Sequence, residues 1–373
     1  MECISNMNKT MKKILKIILI VIAVLAVLAL AAVICVKCSG AHRSDPADVR
    51  QYEMTNPHAH AVTAISAHRS GGGIAPENTM MALKNCAENP DFSISVFEFD
   101  LHITSDGYLV LLHDDTLDRT SDAEVVFGET DVRPENKTLA ELKTLNMGAK
   151  FKNDADEMPF ADLAGDAVPD ELRILTIDET LDYLCAMGDY DFIIEIKNSG
   201  DLGKRGVDTL CTVLAERDLF NRVAFGTFHE EISLYVDETY PQLSRSTSID
   251  EVIAFYIAAL TNSKSYVPPC TVLQIPFTDK YLDMGINLGT AQVINYAHSH
   301  DMAIQYWTIN DEDDMRYLVS MGADCIMTDY PDRLYRVMED MGLVEEKLIK
   351  KLLRAKSRSG ELLYYVYVCV TLI

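Results

Sequence analysis

The chain has 373 residues, 48% of them hydrophobic and 24% charged, a globular composition with length enough for one large domain or two ordinary ones. Its formal net charge of −24 is uneven: residues 1–60 and 342–373 are each net +3, which leaves −30 on residues 61–341. So acidic a body excludes nucleic acid as a partner, because Lys and Arg must displace the counterions of the phosphate backbone, and it requires a local cation to hold any anionic substrate.

In chain order, the first feature is IILIVIAVLAVLALAAVICV, residues 17–36, about the ~20 apolar residues that cross a bilayer as a helix. No small-residue cleavage pattern follows it, so residues 1–37 are expected to be a cytosolic N-terminus with an uncleaved transmembrane helix. Lys9, Lys12, Lys13 and Lys16 precede the run and only Lys37 and Arg43 closely follow. The positive-inside rule then predicts a single-pass protein of the cell membrane with its catalytic body outside the cytoplasm. Five of the nine cysteines, at 86, 185, 211, 270 and 325, fall in that body. Several sit in apolar runs where a buried thiol is the default, which speaks mildly for a reducing compartment, but the charge bias is the stronger rule.

Residues 38–60 are polar and read as a linker. Over residues 61–341 strand-like runs alternate with helical patterns: 61–68, a helix from about Asn78, 93–101, 109–113, 192–196, a helix near 207–216, 222–226 and a helix near 229–239. The series continues with 243–247, a helix near 250–259, 271–276, a helix near 290–299, 303–307, a helix near 311–320, and 325–328 before a last helix. Repeated strand-helix units of this number predict a closed (β/α)₈ TIM barrel with its chemistry at the C-terminal strand ends. About 60 residues separate His113 from the helix starting near Thr176, far more than a loop needs, so an insertion over about 115–175 is expected above the active-site face.

The strand ends carry the polar groups. In VFEFDLH (96–102), Glu98, Asp100 and His102 share one face and Phe97, Phe99 and Leu101 the other; in FIIEIK (192–197), Glu195 and Lys197 oppose Ile194 and Ile196. Carboxylates facing into a barrel need a cation, and three of them from two strand ends suit one hard divalent ion, Mg²⁺ or Ca²⁺, rather than zinc. His68-Arg69 and His113-Asp114 end two neighbouring apolar runs. One imidazole can accept a proton while the other gives one, and Arg69 and Lys197 can hold a phosphate. Phosphodiester cleavage requires these parts.

The motifs resemble those of the glycerophosphodiester phosphodiesterase family: His68-Arg69, Pro76-Glu77-Asn78-Thr79, Glu98-Phe99-Asp100, Thr104-x-Asp106-Gly107, His113-Asp114, Arg119-Thr120, Glu195-Ile196-Lys197, Trp307-Thr308-x-Asn310 and Thr328-Asp329-x-Pro331-Asp332. The resemblance runs over about residues 62–340 and implies a barrel with a small insertion after the second strand. It also implies metal ligation by Glu98, Asp100 and Glu195, acid/base roles for His68 and His113, and phosphate contacts from Arg69 and Lys197. Trp307 would pack on the glycerol or leaving group, and Glu77 would face the same pocket. By analogy with related barrel phospholipases, His68 is the base and His113 the acid. Ser70 departs from the family's pattern, which has Gly directly after His-Arg, and Gly71, Gly72 and Gly73 are expected to supply the flexibility.

Beyond the resemblance, Val344, Leu348, Ile349, Leu352 and Leu353 recur at helical spacing among Lys347, Lys350, Lys351 and Arg354, so residues 342–373 read as a basic amphipathic segment with an apolar tail. The expected activity is membrane-anchored hydrolysis of glycerophosphodiesters to glycerol phosphate and an alcohol. The rivals are phospholipase C- or D-like cleavage of lipid or lysolipid phosphodiesters on the same barrel, and an inactive anchored binding module. The latter would be expected to lack one of the two histidines or three carboxylates, and all five are present.

Overall fold

Apolar runs from distant parts of the chain pair in parallel around one axis. The computed structural model describes residues 14–22, 43–278 and 287–344. Its strands are β1 (Ala64–Ala67), β2 (Val96–Ile103), β3 (Leu109–Leu111), β4 (Asp191–Ile196), β5 (Val223–Gly226), β6 (Val272–Pro276), β7 (Ala303–Trp307) and β8 (Cys325–Thr328). They lie in the order β5-β4-β2-β1-β8-β7-β6, all parallel. Between β5 and β6 the chain makes only two parallel bridges, Phe225 with Arg245 and Ser246 with Val272. They are held by Phe225 N–H to the Ser244 carbonyl at 2.8 Å and Thr247 N–H to that of Val272 at 3.1 Å. This short stave nearly closes the ring.

β3 is the exception. The run at 109–113, expected among the parallel strands, is antiparallel to β2 with Leu101 opposite Leu111. The reason is length: Thr104 to Tyr108 is a tight turn, with Gly107 at φ +92°, whereas a parallel crossover needs about a dozen residues.

The helices are α1 (residues 14–22), α2 (Met80–Ala87), α3 (Ala123–Phe127), α4 (Leu139–Leu142), α5 (Ile177–Met187), α6 (Gly200–Glu216), α7 (Glu230–Thr239), α8 (Ile249–Thr261), α9 (Ala291–His298), α10 (Glu312–Ser320) and α11 (Pro331–Asp340). The anchor expectation is corrected here. Among the described residues no helix is long and apolar enough to cross a membrane. The expected single-pass placement at the cell membrane, catalytic body outside, falls with it. Residues 23–36 of the apolar run and residues 345–373 of the C-terminal segment lie outside the described residues.

The pleat sorts side chains into two layers. Phe97, Phe99, Leu101, Ile194 and Ile196 are fully buried between the strands and the helices, each contributing roughly 1.5–3 kcal/mol. Inside the barrel, Ala64, Val96, Ile193, Ala224, Val272 and Met327 pack together and leave the opposite end to polar groups. Residues 112–176 form α3, α4 and three short 3₁₀ turns over a separate small core that includes Val110, Leu112, Leu117, Leu142 and Ile174. Two helices at the mouth are tied by Arg245, itself 5% exposed. Its guanidinium is bidentate to Asp237 of α7 (2.7 Å to each oxygen) and to Glu251 of α8 (2.8 Å to each), while Glu251 also completes the capping box of Ser248. The position of α8 over the barrel is thereby set.

Candidate active site

Parallel strands send their C-terminal ends to one mouth, where a cavity of about 790 Å³ opens. His68 directly follows β1, Glu98 and Asp100 lie on β2, His113 follows β3, Glu195 is on β4 with Lys197 just beyond it, and Trp307 ends β7. All seven line the cavity, as does Arg69.

Glu98 and Asp100 are 4% and 1% exposed. Burial, then repulsion from Asp100, pushes the Glu98 carboxyl above its ordinary range, and the same two causes raise Glu195. Lys197 Nζ lies among them, 2.9 Å from Glu195 and 3.5 Å from Asp100. Burial works against its charge, but the Asp100 and Glu195 carboxylates outweigh that and raise its pKa. Among the described residues no group of three or more His, Cys, Asp or Glu is arranged to hold a metal ion, and the Lys197 ammonium lies against two of the carboxylates. The donor chemistry nevertheless fits a hard ion. All three side chains offer oxygen, and the buried Asp100 Oδ2 has no hydrogen-bond partner among the described residues. His102, the third polar residue on that face of β2, is buried with neither ring nitrogen bonded among the described residues.

Each candidate histidine is held by an aspartate at Nδ1. His68 Nδ1 is 2.7 Å from Asp329 Oδ1, and Asn310 Nδ2 donates to the other Asp329 oxygen at 2.6 Å. Asn310 is itself fixed: its Oδ1 accepts from Asp329 N–H at 3.0 Å and Thr328 Oγ1 at 3.1 Å. With Nδ1 donating to Asp329, Nε2 is left toward the cavity, 3.9 Å from Glu98. Burial alone would lower the His68 pKa, but Glu98 and the Asp329 hydrogen bond and charge more than compensate, and it is raised. His113 Nδ1 lies 2.7 Å from Asp114. The His113 hydrogen bond and then Arg119, against the opposing effect of burial, hold the Asp114 carboxyl well below its usual range. Arg119 is bidentate to Glu77 at 2.7 and 2.8 Å, and Glu77 in turn meets Arg69 at 3.5 Å. Glu77 therefore sits behind Arg69 as its anchor, and Arg69 and Lys197, expected to contact phosphate, are both paired with carboxylates.

The glycines serve the loop itself. Gly71 has φ +93°, and a Cβ at Gly73 would come within 2.8 Å of the Asp329 carbonyl, whose oxygen Gly73 N–H binds at 3.0 Å. Ser70 takes φ +65° and is buried, and its hydroxyl is unpaired among the described residues. A left-handed conformation costs a non-glycine residue roughly 1–2 kcal/mol. Ser70→Gly should raise stability by about 1 kcal/mol, read as a higher denaturant midpoint at unchanged slope; a fall would show that the hydroxyl has a structural partner.

Asp329, Asn310 and Phe228 had no assigned role at the level of sequence. Asp329 and Asn310 stand in the motifs Thr328-Asp329-x-Pro331-Asp332 and Trp307-Thr308-x-Asn310, which was the available signal. Phe228, 6.0 Å ring to ring from Trp307 and 5.6 Å from Lys197 Nζ, gave none.

The Glycerophosphoryl diester phosphodiesterase family matches residues 68–333, from His68 to the helix after the Asp329 motif. The chain belongs to this family. It is a phosphoric diester hydrolase. A glycerophosphodiester phosphodiesterase of Bacillus altitudinis is 24% identical over 280 residues, covering 75% of this chain and all of the relative. The fold is shared with a putative glycerophosphoryl diester phosphodiesterase of Silicibacter pomeroyi (TM-score 0.59, 20% identity, 78% of this chain and 98% of that one). It is shared too with an Oleispira antarctica phosphodiesterase in complex with the product sn-glycerol-3-phosphate (TM-score 0.57, 22% identity, 74% and 97%).

Proposed function

We propose that this chain hydrolyses glycerophosphodiesters to glycerol phosphate and an alcohol by two-histidine acid/base catalysis with one divalent cation. The observation that carries this reading is the pair of aspartate-held imidazoles, His68 with Asp329 and His113 with Asp114, in one cavity with three carboxylates. Glu98, Asp100 and Glu195 would hold Mg²⁺ or Ca²⁺, which supplies charge to polarise the phosphoryl oxygens; a divalent cation is general in the family. His68 takes the nucleophile's proton at Nε2 while Asp329 stabilises the resulting imidazolium. His113 delivers a proton to the departing alcohol oxygen. Arg69 and Lys197 attract the diester's negative charge, and the Glu77–Arg119 pair keeps Arg69 at the cavity wall. Trp307 and Phe228 offer an aromatic edge to the glycerol or the leaving group. The product bound to the Oleispira antarctica protein, sn-glycerol-3-phosphate, supports the glycerol phosphate side of the cut.

An inert binding module is the weaker reading, since both histidines and all three carboxylates line one cavity. The test is to incubate the purified full-length chain with glycerophosphocholine and Mg²⁺ or Ca²⁺ and to measure both products. Equal amounts of sn-glycerol-3-phosphate and choline are expected. Release of phosphocholine and glycerol instead would place the cut on the other ester bond and replace this reading with a phospholipase C-like one.

A further inference from the structure

Behind the Glu77–Arg119 pair lies a second, smaller cavity of about 220 Å³, between the glycine loop at Gly72 and Gly73 and the insertion. Its charged lining reverses the balance of the body around it. Residues 61–341 carry −30, yet here Arg119, Lys150 and Lys152 line the wall with a single carboxylate, Glu77. These cations are not fully used. Arg119 gives four of its five N–H groups to Glu77 and Asp114, which leaves one on Nη1. Lys150 Nζ donates to the Asp118 carbonyl and has no carboxylate partner among the described residues, so two of its three hydrogens remain. Lys152 pairs with Asp156 at 2.7 Å, but the two side chains are 56% and 81% exposed, and so exposed a pair holds its lysine weakly. Thr120 adds a buried hydroxyl to the same wall; the residue is 8% exposed and the hydroxyl has no hydrogen-bond partner among the described residues. A buried hydroxyl ordinarily has one.

We infer that this second cavity binds a phosphate group, free or at the end of a small monoester, at a site separate from the catalytic one. The tetrahedral oxygens of phosphate match three cations and a hydroxyl that come from different parts of the wall, whereas a carboxylate offers only two oxygens. At ~30 Å³ per water the cavity has room for about seven waters, enough for a phosphate with a short organic group attached. The anion lies one ion pair behind Arg69, whose anchor Glu77 is shared between Arg69 at 3.5 Å and Arg119 at 2.7 and 2.8 Å. Its binding does not depend on the reaction proposed for the larger cavity.

The test is equilibrium dialysis of the full-length chain, with Mg²⁺ present, against radiolabelled inorganic phosphate. The parent should bind one more phosphate per chain than the double variant Lys150→Ala, Lys152→Ala, whose substitutions lie on the surface and should leave the melting temperature without phosphate unchanged. Thr120→Val should weaken that site by about tenfold, the effect of losing one hydrogen bond to a charged group. Unlabelled sn-glycerol-3-phosphate is added in a second arm: displacement of that label assigns the cavity to monoesters as well, and retention assigns it to free phosphate alone. Equal numbers of phosphates on the parent and the double lysine variant overturn the inference. So does a fall of about tenfold in that variant's kcat/KM for glycerophosphocholine, which would make the two lysines part of the substrate site.

Discussion

Replacing His68 with alanine should lower kcat by about 10²- to 10⁴-fold, the contribution of a positioned proton-transfer group, with little change in KM. The expectation comes from placement. Asp329 fixes the Nδ1 tautomer, Asn310 fixes Asp329, and Nε2 is delivered to a cavity that also holds the carboxylates. His113→Ala should fall by a similar factor, so the two roles need a separate test. A glycerol phosphodiester with p-nitrophenol as its alcohol leaves without help from an acid. It should restore most of the rate of His113→Ala and little of that of His68→Ala. Restoration of His68→Ala alone would exchange the assignments, and restoration of neither would show that neither histidine protonates the leaving group.

Asp100→Asn should remove most of the rate while the fold is retained. Asp100 is nearly inaccessible, one of its oxygens is unbonded among the described residues, and its charge raises the pKa of both Glu98 and Glu195. Without the carboxylate the cluster loses a ligand of the kind a hard cation requires, yet it also loses a repulsion. The variant should therefore bind Mg²⁺ or Ca²⁺ at least about tenfold more weakly by calorimetry, an effect of the order seen when metal sites lose supporting groups. Its melting temperature without added ion should equal or exceed that of the parent. Full turnover by the parent after exhaustive chelation, or unchanged ion binding by the variant, would remove the metal from the mechanism and leave Lys197 as the working cation of the cluster.

The alternation in VFEFD and FIIEI was legible without a structure because the pleat imposes a period of two. Once Phe97, Phe99, Ile194 and Ile196 go to the helices, Glu98, Asp100 and Glu195 must go to the barrel interior. The repeated strand-helix order likewise implies parallel pairing, since helices are the connections that parallel strands allow. The reading of 109–113 as one more parallel strand failed because it weighed the apolar run and neglected the short turn before it. The expectation of a membrane anchor rested on apolar length, on the lack of a cleavage pattern and on the lysines before the run, all of them local features.

What only the tertiary structure decided is which groups meet. Asp329 lies 261 residues from His68 and reaches it because barrel closure sets β8 beside β1, a consequence of ring geometry that local periodicity does not encode. Arg119, 42 residues from Glu77, does so through the path of the insertion. Lys197 shares its face of β4 with Glu195 by period, but its seat between Glu195 and Asp100 depends on β2 and β4 pairing in register. The run near 250–259 reads from sequence as one more helix of the strand-helix series. It becomes a cavity wall because Arg245, buried between α7 and α8, holds that helix over the strand ends. Residue types and their alternation settled the chemistry available to this chain, and the closure of the barrel settled which of those groups face one another.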